Sequence, residues 1–381
     1  MRGLSVLHVY KDYPPVIGGI ENHLRLLAEH QVRLGLDVTV LVTARDGRTT
    51  DTLENGVRVI RAARLGELLS TPLSLELFRH MRRLRPDITH LQFPYPLGDL
   101  AQLWLGRSRA TVVTYQSDIV RQRISGWIYR PFVRCLLERA DRIITTSPQY
   151  ARGSSLLGPL ADKCAVVPLG IEPLDWREVD LRRRADLEQR FPGPRVLFVG
   201  RLRYYKGLDY LIRAMEQVEA HLLVVGDGSL RTSLERQARA SSAGARIHFL
   251  GDVPQAELSA YYTAADVLAL PSSHRSEAFG LVLLEAQACG TPAISTELST
   301  GTSYANRHGE TGWVVPPRDT QALAEALRAC LCDPERRRVL GARARERVLR
   351  EFGAELMVER VLDVYAQALG QAPAAVGEPA A

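Results

Sequence analysis

Apolar and polar positions along this chain follow a repeating alternation. Apolar runs of strand length, "LSVLHVY", "DVTVLVT", "VRVIRA", "DITHLQF", "TVVTYQS", "RIITTS" and "CAVVPLG", are separated in most cases by stretches of helix-like polar periodicity. That pattern predicts parallel strands joined by crossover helices. The rhythm breaks between Gly170 and Arg195. There "IEPLDWREVDLRRRADLEQRFPGP" carries charges, no strand run and a terminal Pro-Gly-Pro, as an interdomain linker followed by a short helix would. It then resumes with "RVLFVG", "HLLVVG", "RIHFLG", "DVLALPS", "TPAIST" and "TGWVV", a second parallel sheet. The expected fold is α/β, with two doubly wound, Rossmann-like parallel-sheet domains facing a cleft. The domains are placed at residues 1–174 and 195–370, the linker at 175–194, and a frayed Ala-, Pro- and Gly-rich tail at 371–381.

Composition narrows the class. A chain of 381 residues is too long for one ordinary core, and 46% hydrophobic with 24% charged residues reads as globular. The opening "MRGLSVLHVYKDYPP" lacks a small-residue cleavage site, and no uncharged apolar run nears the roughly 18 residues of a membrane span. The five scattered cysteines, Cys135, Cys164, Cys289, Cys330 and Cys332, suit reduced thiols, and a cytoplasmic protein is expected. The net charge of +6 is uneven: residues 1–174 hold 23 Lys and Arg against 16 Asp and Glu. Within that half, Arg121 to Arg142 interleaves arginines with Trp127, Ile128, Phe132, Leu136 and Leu137. A solvated helix face is the default reading of such a run; the alternative is a peripheral contact with anionic lipid on the inner face of the membrane. Nucleic acid fits poorly, because no zinc spacing, RNP-like segment or basic repeat accompanies the charge.

In doubly wound sheets ligands sit at the carboxyl ends of the strands. After "RVLFVG" come Arg201 and Lys206, and lysine occurs elsewhere only at Lys11 and Lys163, against 46 arginines. A lysine kept in so arginine-rich a chain points to a role for a compact ammonium. "VGDGSLR" lacks the third glycine of a dinucleotide fingerprint and no P-loop occurs, which disfavours a NAD enzyme or a P-loop NTPase. In "SEAFGLVLLEAQACGTP", Glu277 falls in a loop, Gly280 at a helix start and Glu285 about five residues into the helix. The free N–H groups of that first turn attract phosphate, while the two carboxylates accept from hydroxyls on either side of it. One carboxylate per sugar, with phosphates between, suits a nucleotide sugar.

This stretch closely resembles the E-x7-E segment of retaining glycosyltransferases of family four, which adopt the GT-B fold. The resemblance extends to "PPVIGGIENH", "GRLRYYKG", "VGDGSLR", "FLGDVPQAELSAYYTAADVLALPS" and "HGETGWVVPP", in order, over nearly the whole chain. It implies that Gly18 and Gly19 approach the donor phosphate at the head of a helix beginning near Glu21. It gives Arg201 and Lys206 the task of neutralising the diphosphate leaving group. It assigns Glu277 to the donor sugar, Glu285 to the ribose hydroxyls, Ala278, Phe279, Gly280 and Leu281 to the backbone around sugar and phosphates, and the backbone near Val253 to the base. No Asp-x-Asp occurs, in keeping with a metal-independent mechanism that needs no cofactor.

The resemblance also marks a departure. Many members carry histidine in the segment matching "TYQSD", where this chain has Gln116, and Gln92 in "HLQFPYP" stands where a polar ring is common. Glutamine offers neutral donors and acceptors only. The chain looks most like bacterial mannosyltransferases of surface-polysaccharide and glycolipid assembly. The expected donor is GDP-mannose and the expected acceptor a glycan or lipid-linked sugar. The alternatives are a UDP-sugar-dependent glucosyl- or N-acetylglucosaminyltransferase and a weakly catalytic sugar-nucleotide-binding subunit.

Overall fold

The computed structural model describes residues 1–16, 18–68, 71–116, 123–172 and 179–371. Every apolar run singled out above becomes a strand. The chain divides into two compact units, Met1–Gly170 with Ala354–Ala381, and Ile171–Gly353.

The strands of the first unit are β1 (Ser5–Val9), β2 (Asp37–Thr43), β3 (Thr50–Glu54), β4 (Val57–Ala62), β5 (Gly66–Leu68), β6 (Thr71–Leu73), β7 (Ile88–Phe93), β8 (Ala110–Tyr115), β9 (Arg142–Thr145) and β10 (Cys164–Val166). Eight of them form one sheet in the order β10-β9-β8-β7-β1-β2-β4-β3, and β5 and β6 form a separate hairpin. All neighbours in the large sheet are parallel except β3, which runs antiparallel on β4 at the edge. Every residue of β7 is buried, as a strand covered on both faces requires. The pattern did not reveal β3 because "TDTLE" has one apolar side chain, and that one, Leu53, is 76% exposed. The signal for it was the Asn55-Gly56 turn, where both residues have positive φ, as an Asn-Gly hairpin needs.

The strands of the second unit are β11 (Arg195–Val199), β12 (His221–Val225), β13 (Ile247–Gly251), β14 (Val267–Leu270), β15 (Ala293–Thr296) and β16 (Gly312–Val315). They form one parallel sheet in the order β13-β12-β11-β14-β15-β16. The order reverses between β11 and β14, so the loops after these two strands flank the switch point where such sheets bind ligands.

Two boundaries differ from the sequence expectation. Helix Leu181–Arg190 packs on helix Leu258–Ala264 and so belongs to the second unit, not to a linker at 175–194; residues 173–178 lie outside the described residues. Helix Ala354–Ala368, expected within a 195–370 domain, belongs to the first unit. Its stripe Met357, Val358, Val361, Val364 and Tyr365 is buried there, and sequence adjacency does not say which sheet an apolar stripe will cover. Of the expected tail, 372–381 also lies outside the described residues. All five cysteines are free thiols.

The returning helix is held by polar contacts as well. The Tyr365 hydroxyl lies 2.6 Å from His90 Nδ1 and accepts from Gln31 Nε2 at 3.2 Å. Gln31 Oε1 lies 2.7 Å from His8 Nε2, and His90 Nε2 lies 2.6 Å from Thr114 Oγ1. Burial pushes His8 down to about 4 and His90 well below the usual histidine range, so both rings are neutral hydrogen-bonding groups. Tyr365→Phe removes a buried hydroxyl that serves two elements, and a loss of about 1–3 kcal/mol is expected. Urea unfolding measures it; an unchanged midpoint would show that packing alone holds the helix.

Candidate active site

The loop after β11 turns away from the sheet through the short 3-10 turn Tyr204–Lys206 and ends at Gly207. Gly207 has φ 71° and lies so near the Pro271 carbonyl after β14 that a Cβ would collide with it. Ser273 N also donates to Tyr205 O at 2.7 Å. The two switch-point loops are thereby joined backbone to backbone, which sets Lys206 beside Glu277. Lys206 Nζ lies 2.7 Å from Glu277 Oε2, and Ser272 Oγ donates to the same oxygen at 3.0 Å. Thr300 Oγ1 donates to the Glu277 carbonyl at 2.8 Å and fixes the loop from its other side.

The next turn is equally constrained. Gly280 has φ 81°, and a Cβ there would approach Leu270 Cδ2 to 2.7 Å. Gly301 N donates to Ala278 O at 2.7 Å, and Phe279 is buried edge-on against Phe352 at 6.1 Å. Helix Leu281–Ala288 begins directly after this turn, with Gly280 as its N-cap and no side-chain cap on its first N–H groups. Glu285 follows on the same helix, with Oε2 accepting from the Tyr262 hydroxyl at 2.6 Å. Burial raises the Glu285 carboxyl above the usual range, opposed by the Tyr262 hydrogen bond and the Lys206 charge. Burial pulls the Lys206 ammonium down, but Glu277, Tyr205 and Glu285 together hold it above an ordinary lysine. One cation thus stands in the field of both carboxylates.

In the first unit, Gly18 caps helix Gly19–Arg33, which begins two residues before the expected Glu21. A Cβ on Gly18 would meet the end of the buried Glu21 side chain, which would have to turn aside to admit it. Gln116 directly follows β8, with its backbone N donating to Phe93 O at 3.1 Å. Its Nε2 donates to Gln92 Oε1 at 2.6 Å, so the two glutamines form one buried pair. Gln92 Nε2 has no partner among the described residues.

Two comparisons with sequence families agree with this geometry. Residues 18–170 match the "Glycosyl transferase 4-like domain" and residues 183–347 match "Glycosyl transferases group 1". The chain is 37% identical over 357 residues to D-rhamnosyltransferase WbpZ of Pseudomonas aeruginosa, spanning 92% of this chain and 93% of that one. It is 34% identical over 365 residues to O-antigen chain mannosyltransferase C of Escherichia coli, spanning 95% and 98%. This chain is a family-four glycosyltransferase.

Among solved structures the glycosyltransferase resembles sucrose-phosphate synthase from Thermosynechococcus elongatus, with a TM-score of 0.81 and 27% identity over 96% of this chain and 99% of that one. The fold is GT-B, and the enzyme is a hexosyltransferase that uses a sugar-nucleotide donor. Of the residues expected to act, Arg201, Lys206, Glu277, Ala278, Phe279, Gly280, Leu281 and Glu285 come from the two switch-point loops and the helix after them. Arg201 is exposed, and Val253 lies in the loop after β13 at the sheet edge. Gly18, Gly19 and Gln116 belong to the first unit.

Sequence reasoning missed Tyr262, Ser272 and Thr300, whose side chains support the two glutamates. Only Ser272, at the end of "DVLALPS", carried a positional signal as a post-strand residue. The basic segment also divides. Residues 117–122 lie outside the described residues, as do the side chains through 128, including Trp127 and Ile128. In helix Arg123–Arg139, Leu136 and Leu137 are buried with Val133, so they face the first unit's core and not a lipid; Phe132 is 41% exposed. The burial follows the helical repeat, which keeps only one face of the interleaved run outside. Among the described residues no cluster of His, Cys, Asp and Glu could hold a metal ion, and no helix is long and apolar enough to cross a membrane.

Lys206→Ala leaves the buried Glu277 without its ion-pair partner. The expected loss is about 3 kcal/mol of stability, read by chemical unfolding, with Glu277→Gln restoring most of it in the double variant. Additive losses in that pair would show that the ion pair contributes nothing.

Proposed function

We propose that this glycosyltransferase transfers mannose from GDP-mannose to a glycan or lipid-linked acceptor, with retention of configuration and without a metal ion. The observation that carries the reading is Lys206, held between Glu277 and Glu285 at the head of helix Leu281–Ala288. As the sugar–phosphate bond breaks, negative charge grows on the diphosphate. Lys206, Arg201 and the helix-end amides stabilise that charge more in the transition state than in the ground state, the task a divalent metal has elsewhere. The diphosphate competes with Glu277 for Lys206, which frees the Glu277 carboxylate to orient the sugar. Glu285 takes the ribose hydroxyls.

Retention follows from front-side attack. The acceptor oxygen bonds to the anomeric carbon on the face the phosphate oxygen leaves, and its proton passes to that phosphate. No side chain is a nucleophile in this scheme. Gln116, oriented by Gln92, serves as a neutral hydrogen-bonding group where many relatives have a ring. Mannose is supported by the sugars named for the two relatives, since rhamnose is 6-deoxymannose; the guanine base rests on the sequence resemblance.

Turnover of GDP-mannose, UDP-glucose and UDP-N-acetylglucosamine is compared with and without EDTA, and the product anomer is read by NMR. GDP-mannose should be used, with no loss in EDTA. Preferential use of a UDP-sugar, strong EDTA inhibition or an inverted product would each refute its part of the proposal. Glu285→Ala should raise KM for donor, and Glu277→Ala should lower kcat at saturating donor.

We also propose that the first unit meets an anionic membrane. Leu75 (70% exposed), Trp104 (64%) and Phe132 lie on three helices that pack in series, and the hydroxyl of Tyr129 donates to Asp99 to tie the last two. Exposed Arg79, Arg82, Arg83, Arg107, Arg130 and Arg134 lie on or beside the same helices, and apolar wedges among cations suit an acidic interface. The enzyme should sediment with phosphatidylglycerol vesicles at low salt and release as salt rises, and Trp104→Glu should weaken it. Equal recovery with phosphatidylcholine vesicles would rule the surface out.

A further inference from the structure

Tyr262 is fully buried on helix Leu258–Ala264, and its hydroxyl reaches the carboxylate assigned to the ribose. We propose that Tyr262 is the positioning residue for Glu285. By donating its only hydroxyl proton to Oε2, it orients the carboxylate and holds it ionised, leaving Oε1 for a ribose hydroxyl. This rests on the reading that Glu285 binds the ribose.

Three observations support the role. The backbone of Tyr262 is held from the helix its side chain serves: Thr291 Oγ1, in the turn that ends helix Leu281–Ala288, donates to the Tyr262 carbonyl at 2.7 Å, and Thr291 N donates to Ala286 O at 2.9 Å. Tyr262 is therefore tied to the Glu285 helix at its far end through the backbone and at its middle through the hydroxyl. Second, the 2.6 Å contact is made to Oε2, and among the described residues no side-chain hydrogen bond to Oε1 occurs. Third, burial raises the phenol far above its usual range, which keeps it a donor at every working pH.

The charges around Glu285 explain why a donor is needed. Lys206 faces it from the loop after β11, but that ammonium is shared with Glu277 of the loop after β14. Tyr205, beside Lys206, is raised by burial and stays neutral. On the same helix Cys289 is pushed up to about 12 by burial and the Glu285 charge, so it too is neutral, with Arg345 of helix Pro334–Glu351 beyond it. Burial drives Glu285 toward its protonated form, and only Tyr262 and Lys206 oppose that. Once a diphosphate occupies Lys206, Tyr262 is the opposing group that remains. A protonated Glu285 would offer the ribose one acceptor fewer.

The test is calorimetric titration with GDP and UDP from about pH 5 to about pH 9 on wild type, Tyr262→Phe and Glu285→Gln. In wild type, affinity should fall on acidification as Glu285 gains a proton. In Tyr262→Phe that fall should move upward by about one pH unit, with affinity close to wild type at the alkaline end. KM for donor should follow the same shift while kcat at saturation changes little. Glu285→Gln should bind weakly and show only the titration of the diphosphate itself. A uniform loss across pH in Tyr262→Phe, with a lowered Tm, would reduce Tyr262 to packing and overturn the proposal, as would an unmoved profile. If Glu285→Gln binds as wild type does throughout, the ribose assignment fails; if Glu285→Gln is weak and Tyr262→Phe is inert, only the positioning role fails.

Discussion

The close approach of Gly207 to the Pro271 carbonyl is the constraint on which the site depends. It joins the loop after β11 to the loop after β14, the two strands between which the sheet reverses order. Any side chain at position 207 would force the loops apart and separate Lys206 from Glu277. The ion pair, the Ser272 hydrogen bond and the Ser273 to Tyr205 backbone bond all follow from that contact. On the proposed reading, a diphosphate would need fixed cations and amides, and this backbone junction holds Lys206 in place.

Charge in the site is balanced as well as placed. Lys206 is buried enough that its ammonium would be costly alone, and Glu277 offsets that cost in the absence of donor. Glu285 contributes to the same field at longer range and is itself held by a buried tyrosine. On the proposed reading, this pairing keeps a compact ammonium in place for the leaving diphosphate. Arg201, which the proposed reading makes the second cation, is exposed on the same loop.

The two units are linked by how the chain passes between them. It enters the second unit at Ile171 and leaves at Gly353, and Ile171 N donates to Phe352 O at 2.9 Å, so entry and exit lie side by side. The final helix then completes the core of the first unit through Tyr365 and its contacts with His90 and Gln31. The histidines of this network stay neutral because burial removes the water that would stabilise their charge.

Sequence alone determined the two parallel sheets, because strands covered on both faces must be written as continuous apolar runs, and β7 or β12 could be read directly from "ITHLQF" or "HLLVV". It also marked Lys206, Glu277, Gly280 and Glu285, since a scarce lysine and a glycine between two glutamates are local facts. It did not show β3, whose polar, solvent-facing residues follow no apolar rule, nor the unit to which helix Ala354–Ala368 belongs. Only the tertiary structure decided that Lys206 pairs with Glu277, that Gln116 pairs with Gln92, and that Tyr262 holds Glu285. Each of those pairs joins residues 23 or more positions apart. Side-chain pairing over such separations is set by strand order and helix packing, which place the partners together without leaving a periodicity in the chain.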